Sequence, residues 1–403
     1  MAMDIMQRAT QDKALLHTVL SVSHLIADSH NRRSLLPAYS HQNKALARLQ
    51  QSLSAVTITE TIAISVAMLS WLNMIQANRE AMCHHLGGLF LIFQEIEKRN
   101  QRALASQSNI LMQIWRFSIR LDLLGSIFYY PREPLFPPLP SDQDEYHRIL
   151  ISRTGRTEEQ VDWALAAFAL DDLMHRAMHT AIKANALRET SDNPDPQILR
   201  WTAELLEEHA LWRKRKIIVN AVESHQLVKE EDGFDPTGFG SLPFIAYPTI
   251  LPRNTFFGNL YNAWRAAYIF IDLIALPYIG PGTKLSRRYK YALEICRTYS
   301  SLGKMDTFPL GKILTVFLAG IALGGKENSP KAASVLLESL VDMLQDQYPL
   351  NRTAVVWFLF VFLVNLQVHY AKVWEEDGNY WDAMTRLNAK LPSMPVSLDN
   401  AED

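Results

Sequence analysis

The chain has 403 residues, 48% hydrophobic and 20% charged, a formal charge of −2 and a pI near 6.6. Apolar material on this scale supports a large core, in one big domain or two packed lobes. The balance of charge excludes a broad basic field that would grip phosphates without reading sequence, and two cysteines, Cys83 and Cys296, exclude a disulfide scaffold or a cysteine-only zinc site and point to a reducing compartment.

Residues 1–9 read as an N-terminal tail, interrupted by charges and without a secretory or transit pattern. Leu15, Val19, Val22 and Ile26 recur at helical spacing, and so do Tyr39, Leu46, Leu49 and Leu53, with Pro37 as the break between two helices. Thr57 followed by Glu60 has the form of a capping box ahead of a helix through Ile75, and a further helix runs over 79–98. The helix over 110–128 stops before YPREPLFPPLPSD, whose five prolines mark the clearest internal boundary, at 131–141. Long helices follow over 158–187 and 197–226, then a loop-rich stretch over 231–253. More helices are predicted over 254–276, 285–301, 309–324 and 329–346. The run within 351–375 is the most deeply buried of all, and a polar tail occupies 386–403. The longest apolar run, 354–364, is too short for the roughly 20 residues a membrane-spanning helix needs. The pattern predicts an all-α array of packed antiparallel helices, with no strand signal and no fixed-period repeat.

Asp171, His175 and His179 stand four apart on one predicted helix face, where a carboxylate and two imidazoles could meet a metal. A zinc protease would carry glutamate directly after the first histidine, and Arg176 is there instead. Asp171-Asp172 ahead of His175 is also similar to the aspartate-rich magnesium motif of all-α terpene synthases. Its last acid is replaced, and the second motif breaks, since Asn220 and Ser224 are followed by Val228. A metal-dependent enzyme of this kind is the competing reading, and a polar helix face is the plain one. No nucleophile elbow and no phosphate-binding glycine loop occurs. Arg213-Lys214-Arg215-Lys216 reads as a nuclear-import run or as a solvated helix face.

AMCHHLGGLFLIF, with His85, Leu86 and Gly88, resembles the Trp-x-x-His-Leu-x-Gly-Ala segment of the fungal-specific transcription factor domain, with Met82 for the Trp and Leu89 for the Ala. HTVLSVSHLIAD, AYSHQNKALARLQQSL and SWLNMIQ are similar to the helices that open that domain, and Arg120-Leu-Asp122 ahead of the Pro-rich loop to its next landmark. NLYNAWRAAYIFIDLI, YALEICRTYSSL and FPLGKILTVFLAGIAL, with Pro309-Leu310 and Ala319-Gly320, are similar to its later helices, which extends the resemblance over 10–385. On one helix His85 and Gly88 lie three apart, so that Gly88 would admit a close neighbour and His85 would bond to it.

The resemblance implies a nuclear, non-enzymatic regulator without a cofactor, working through other transcription regulators; a homodimer through the helical domain is a further expected arrangement, without a heptad run for a coiled coil. The family's six-cysteine zinc cluster is not in this sequence, so direct sequence-specific DNA reading would fall to a DNA-binding partner or an upstream segment. A lipophilic small molecule is a further expected partner. Phe256, Phe257, Tyr261, Trp264 and Tyr268, with Trp357, Phe358, Phe360 and Phe362, would line its apolar pocket, and an ordinary core is the alternative.

Overall fold

The computed structural model describes residues 2–30, 34–54, 59–76, 78–100, 109–128, 133–138, 157–190, 196–224 and 255–279, with the single positions 287, 288, 291, 292, 294, 295, 315, 318, 319 and 322. Among the described residues the fold is all-α, as the pattern predicts, with no strand. The helices are α1 (Ala2–Ala9), α2 (Lys13–His30), α3 (Leu36–Ser54), α4 (Glu60–Ile75), α5 (Arg79–Asn100), α6 (Asn109–Phe128), α7 (Glu158–Thr190), α8 (Pro196–Arg213), α9 (Lys216–Ser224) and α10 (Thr255–Ile279). The predicted helices over 329–346 and 351–375 and the loop over 231–253 lie outside the described residues.

Residues 2–9, read from the sequence as part of a tail, form α1. Ala9 is buried and Arg8 pairs with Glu60 at the start of α4. The capping signal also moves. Thr59 precedes α4 without a side-chain cap bond, and Thr57 is not among the described residues. Asp12 does the capping one connection earlier: its Oδ1 accepts the N–H groups of Ala14 at 2.8 Å and Leu15 at 3.0 Å, and its Oδ2 takes the Thr61 hydroxyl at 2.6 Å. One carboxylate thus satisfies the first donors of α2 and ties that end to α4.

α4 is apolar almost all round, which suits a helix buried on every side. Ile62, Ile64, Val66, Leu69 and Leu72 are buried, and its buried Ser70 and Asn73 bond back to the carbonyls of Val66 and Leu69. Around it pack α1, α2, α5 and α6, making a first hydrophobic cluster. A second cluster lies among α7, α8, α9 and α10, and the two meet within α5 and α6. Along α5, Leu89 and Phe93 serve the first and Met82 and Leu86 the second. Along α6, Ile114 and Ile119 serve the first and Leu121 and Leu124 the second.

Two predicted helices differ in detail. In α3 the buried face is Ala38, Ala45 and Leu49, whereas Tyr39, Leu46 and Leu53 of the predicted stripe face solvent. Small alanines let α3 lie close on α2, where Ser21 donates its hydroxyl to the Ala38 carbonyl at 2.8 Å. The single helix expected over 197–226 breaks at Lys214-Arg215. α8 buries Ile198, Thr202, Leu205, His209 and Trp212, a three-and-four spacing that would next turn Lys216 and Val219 inward. The break shifts the phase, so that Ile218 and Ala221 are buried instead while Lys216 and Val219 stay exposed.

Candidate functional site

One group of buried charged residues converges where α6 faces α7. Arg116 and Arg120, one turn apart on α6, meet Asp172 and Asp171 on α7. Arg116 grips Asp172 with both terminal nitrogens, Nη2 donating to Oδ2 at 3.2 Å, and both side chains are buried. Arg120 donates from Nε to Asp171 Oδ2 at 2.7 Å. Burial pushes the Asp171 carboxyl above its usual range, and Arg120 pulls the other way. Planar two-nitrogen contacts of this kind fix the azimuth of one helix against another as well as neutralising the acids.

The next turn holds the Pro-rich segment. Asp122 Oδ2 accepts the backbone N–H of Phe136 at 2.9 Å, and His179 Nε2 donates to the Phe136 carbonyl at 3.1 Å. Burial holds His179 below the usual imidazole range, with the neighbouring His175 adding to the effect. With its backbone groups bonded, Phe136 buries its ring completely, edge-on to Trp115 at 5.0 Å and Phe90 at 5.4 Å. His175 lies edge-on to His179, and its Nε2 stops 3.7 Å from Asp122.

Asp171, His175 and His179 do share a helix face, as their spacing predicts, but the face meets guanidinium groups and a carbonyl. Both oxygens of Asp172 and one oxygen of Asp171 are engaged by Arg116 and Arg120. Among the described residues no three histidine, cysteine or acidic side chains are arranged to hold a metal. The Arg120 and Asp122 landmark is thereby a lock between α6, α7 and residues 133–138. Arg116 and Phe136 complete it and escaped the sequence reading. The signals available were the four-residue step from Arg116 to Arg120, matching an acid pair, and the sole aromatic within PREPLFPPLP.

In the α5 motif Met82, Leu86 and Leu89 form the buried stripe, so the two positions that depart from the family pattern stay apolar and enclosed. The expected roles of the other two positions are corrected. A Cβ at Gly88 would meet nothing within 4 Å, so no close neighbour requires glycine there. His85 makes no hydrogen bond to another described residue. Burial, followed by the adjacent His84, keeps it below the ordinary imidazole range.

A second constellation joins α8 and α10. His209 stacks on Trp264 with centroids 4.4 Å apart, donates from Nε2 to the Trp264 carbonyl at 2.9 Å, and receives the Trp264 indole N–H on its own carbonyl at 2.9 Å. Trp212 donates its indole N–H to the Ala166 carbonyl at 2.7 Å, pinning α8 to α7. Tyr268 closes the stack against Tyr291 at 5.0 Å, and Arg265 lies over Tyr261 at 4.6 Å. Burial raises the phenols of Tyr261 and Tyr268. Of the residues expected to line an apolar pocket, Tyr261, Trp264 and Tyr268 are therefore buried against one another and against His209. The side chains of Phe256, Phe257, Trp357, Phe358, Phe360 and Phe362 lie outside the described residues, as do Pro309, Leu310, Gly320 and Cys296. Ala319 is fully buried.

His209 sets a pH dependence. Burial lowers its pKa from 6.5 to about 4. The unfolded chain therefore binds the proton first, and stability is complete above pH 6.5 and falls as pH drops towards 4, by roughly 3 kcal/mol over the window. Urea unfolding across that range should show this slope, and His209→Gln, which keeps an N–H for the Trp264 carbonyl, should flatten it. Equal slopes in the two proteins would refute the assignment.

The basic run straddles the break between α8 and α9 instead of lying on one helix. Arg213, Lys214 and Lys216 are exposed, Arg215 is half-buried, and Arg213 also reaches over Trp264 at 5.7 Å.

No curated protein and no solved structure matches this chain. A family model does, and its match covers the first cluster, the α5 motif and the α6–α7 lock, and runs into the first turn of α8, leaving the landmarks beyond it as expectations. Residues 2–198, just under half of the chain, match the model of the fungal specific transcription factor domain.

Proposed function

We propose that this chain is the regulatory part of a transcription factor, non-enzymatic and nuclear, acting through contacts with other regulators. The match of residues 2–198 to the fungal specific transcription factor domain supports a role in transcriptional regulation. The observation that carries the rest is the lock itself. The acid pair on which the competing metal-dependent enzyme depends is neutralised by Arg116 and Arg120 and serves to hold helices together. With two cysteines in the sequence, a six-cysteine cluster is not within it, and the chain reaches DNA through another module, on the same polypeptide or on a partner. No described helix is long and apolar enough to cross a membrane.

Fusing the full chain to a DNA-binding module of known site tests the proposal. Output of a reporter beside that site should differ, up or down, from the module alone, and a fluorescent fusion should collect in the nucleus through the exposed Lys214 and Lys216. Unchanged reporter output from a folded, nuclear fusion would overturn the regulatory reading. A lipophilic effector is the narrower part of the proposal. The packing of His209, Trp264 and Tyr268 implies that such a molecule would open that stack or bind outside it, and thermal shift with lipophilic compounds decides whether one binds.

A further inference from the structure

Three histidines gather where α2 packs on α3, away from the acid-histidine face of α7. His17 and His24 are seven residues apart, two turns along one side of α2. The two helices run antiparallel: Ser21 bonds to Ala38, and one turn back along α2 His17 meets His41 of α3. The Nδ1 atoms of His17 and His41 are 3.0 Å apart. The His24 ring lies nearly parallel to that of His41, 8° from it, with centroids 5.5 Å apart. All three side chains are half-buried, so water and small ions reach them.

Two ring nitrogens at this spacing can share a single proton, or a cation can take the proton's place. Burial, then the charges of Lys44, Arg48 and Lys13, hold His17 below the ordinary imidazole range, and burial, then His17, Lys44 and His24, do the same for His41. Both rings are therefore neutral at pH 7, and each offers one nitrogen lone pair, the form that binds a metal. Zinc holds imidazole nitrogen at about 2.0–2.1 Å, which sets neighbouring ligands about 3.3 Å apart in a tetrahedron, and a square-planar ion sets them about 2.9 Å apart. The observed 3.0 Å lies between these two edges. Donor type narrows the ion further. The charged groups that act on the pair are all basic, so no carboxylate is at hand for Mg²⁺ or Ca²⁺, whereas imidazole suits zinc, copper and nickel. Among the described residues no third histidine, cysteine or acid joins the pair in ligand geometry, which leaves the other positions to water.

We propose that His17 and His41 form a two-imidazole site for a late transition-metal dication of the zinc and copper type, bridging α2 and α3, with His24 stacked on His41 as a positioning residue. The ion clips α3 onto α2, and because the unfolded chain does not hold the two rings together, binding stabilises the fold. Lys13, Lys44 and Arg48 oppose a dication as they oppose a proton. The site is therefore a weak one, with a signature: removing one of those charges tightens it. The proposal is independent of the regulatory reading.

Titration calorimetry of the full chain, freed of metal with a chelator, tests it with Zn²⁺ at pH 7.5. Binding should weaken in His17→Ala and in His41→Ala by at least the roughly tenfold that even an outer-shell partner of a metal is worth. His24→Ala should lose less, and His24→Phe, which keeps a ring against His41, should restore the affinity. Lys44→Gln should bind more tightly than the wild type. His84→Ala, on α5, should match the wild type, and Mg²⁺ should give no binding. Unchanged circular dichroism of the metal-free variants shows that a lost ligand, and not a lost fold, is responsible. The electron paramagnetic resonance spectrum of Cu²⁺ on the wild-type chain needs no variant, and its splitting should report two imidazole nitrogens. A copper spectrum without nitrogen splitting would overturn the proposal, as would Zn²⁺ binding that survives both single alanine variants. So would the absence of any Zn²⁺ binding tighter than about 100 μM, the weak end of specific affinities.

Discussion

Arg116→Ala is expected to cost about 3–5 kcal/mol, a large share of the stability of an ordinary domain. Arg116 and Asp172 are both buried in the packed faces of α6 and α7. Removing the guanidinium leaves a carboxylate without its counter-charge in a medium that solvates it poorly, and the penalty belongs to the orphaned acid more than to the lost contact. The physical argument makes a second, less intuitive demand. Arg116→Met combined with Asp172→Leu should regain most of the loss, because two apolar side chains of similar bulk have no charge to desolvate. Urea unfolding of the wild type, both single variants and the double variant gives the coupling directly. Two single variants within about 1 kcal/mol of wild type would show that water reaches the pair and that the ladder holds nothing together. Arg120→Ala, whose partner Asp171 is only half-buried, should lose less.

The helices were legible in the sequence because periodicity reports on burial, and burial governs most of this molecule. The boundaries of α5, α6 and α7 follow from apolar spacing and from prolines. Periodicity failed where the helix face that packs is made of small residues. In α3, Ala38 and Ala45 carry the contact and weigh little on any hydrophobic scale, so the larger Tyr39, Leu46 and Leu53 dictated the wrong face. It failed again at Lys214-Arg215, where a continuous helix satisfies local propensity and only the tertiary demand to keep Lys216 in water forces a shift of phase. The family resemblance located Arg120 and Asp122 without saying what they do. Their roles depend on residues about 14 and 50 positions away in the chain, a pairing no single sequence displays. Spacing placed Asp171, His175 and His179 on one face of α7 and left a polar face and a metal site as the alternatives, because spacing shows which residues share a face and not which residues face them.

Phe136 is the residue where that long-range dependence is greatest, and Phe136→Ala should cost about 3–5 kcal/mol. Its ring is fully buried among Phe90, Phe93 and Trp115, on a segment with no helix of its own to hold it in place. The alanine variant leaves the two backbone bonds, to Asp122 and His179, as the ties that remain among those described for residue 136. Hydrogen bonds of this kind contribute about 1 kcal/mol each and do not replace the lost apolar burial. The segment should therefore open locally at less than the global unfolding free energy. Trypsin provides the readout, because Arg132 immediately precedes Glu133: cleavage there should accelerate in Phe136→Ala well before the helices unfold, and Phe136→Leu, which refills most of the volume, should fall between the two. Equal cleavage rates with an unchanged urea midpoint would mean that the ring is not what seats the Pro-rich segment. A faster cut with an unchanged midpoint would place the lock outside the cooperative core. That second result would make residues 133–138 a separable latch over α5 and α6, governed by Asp122 and His179.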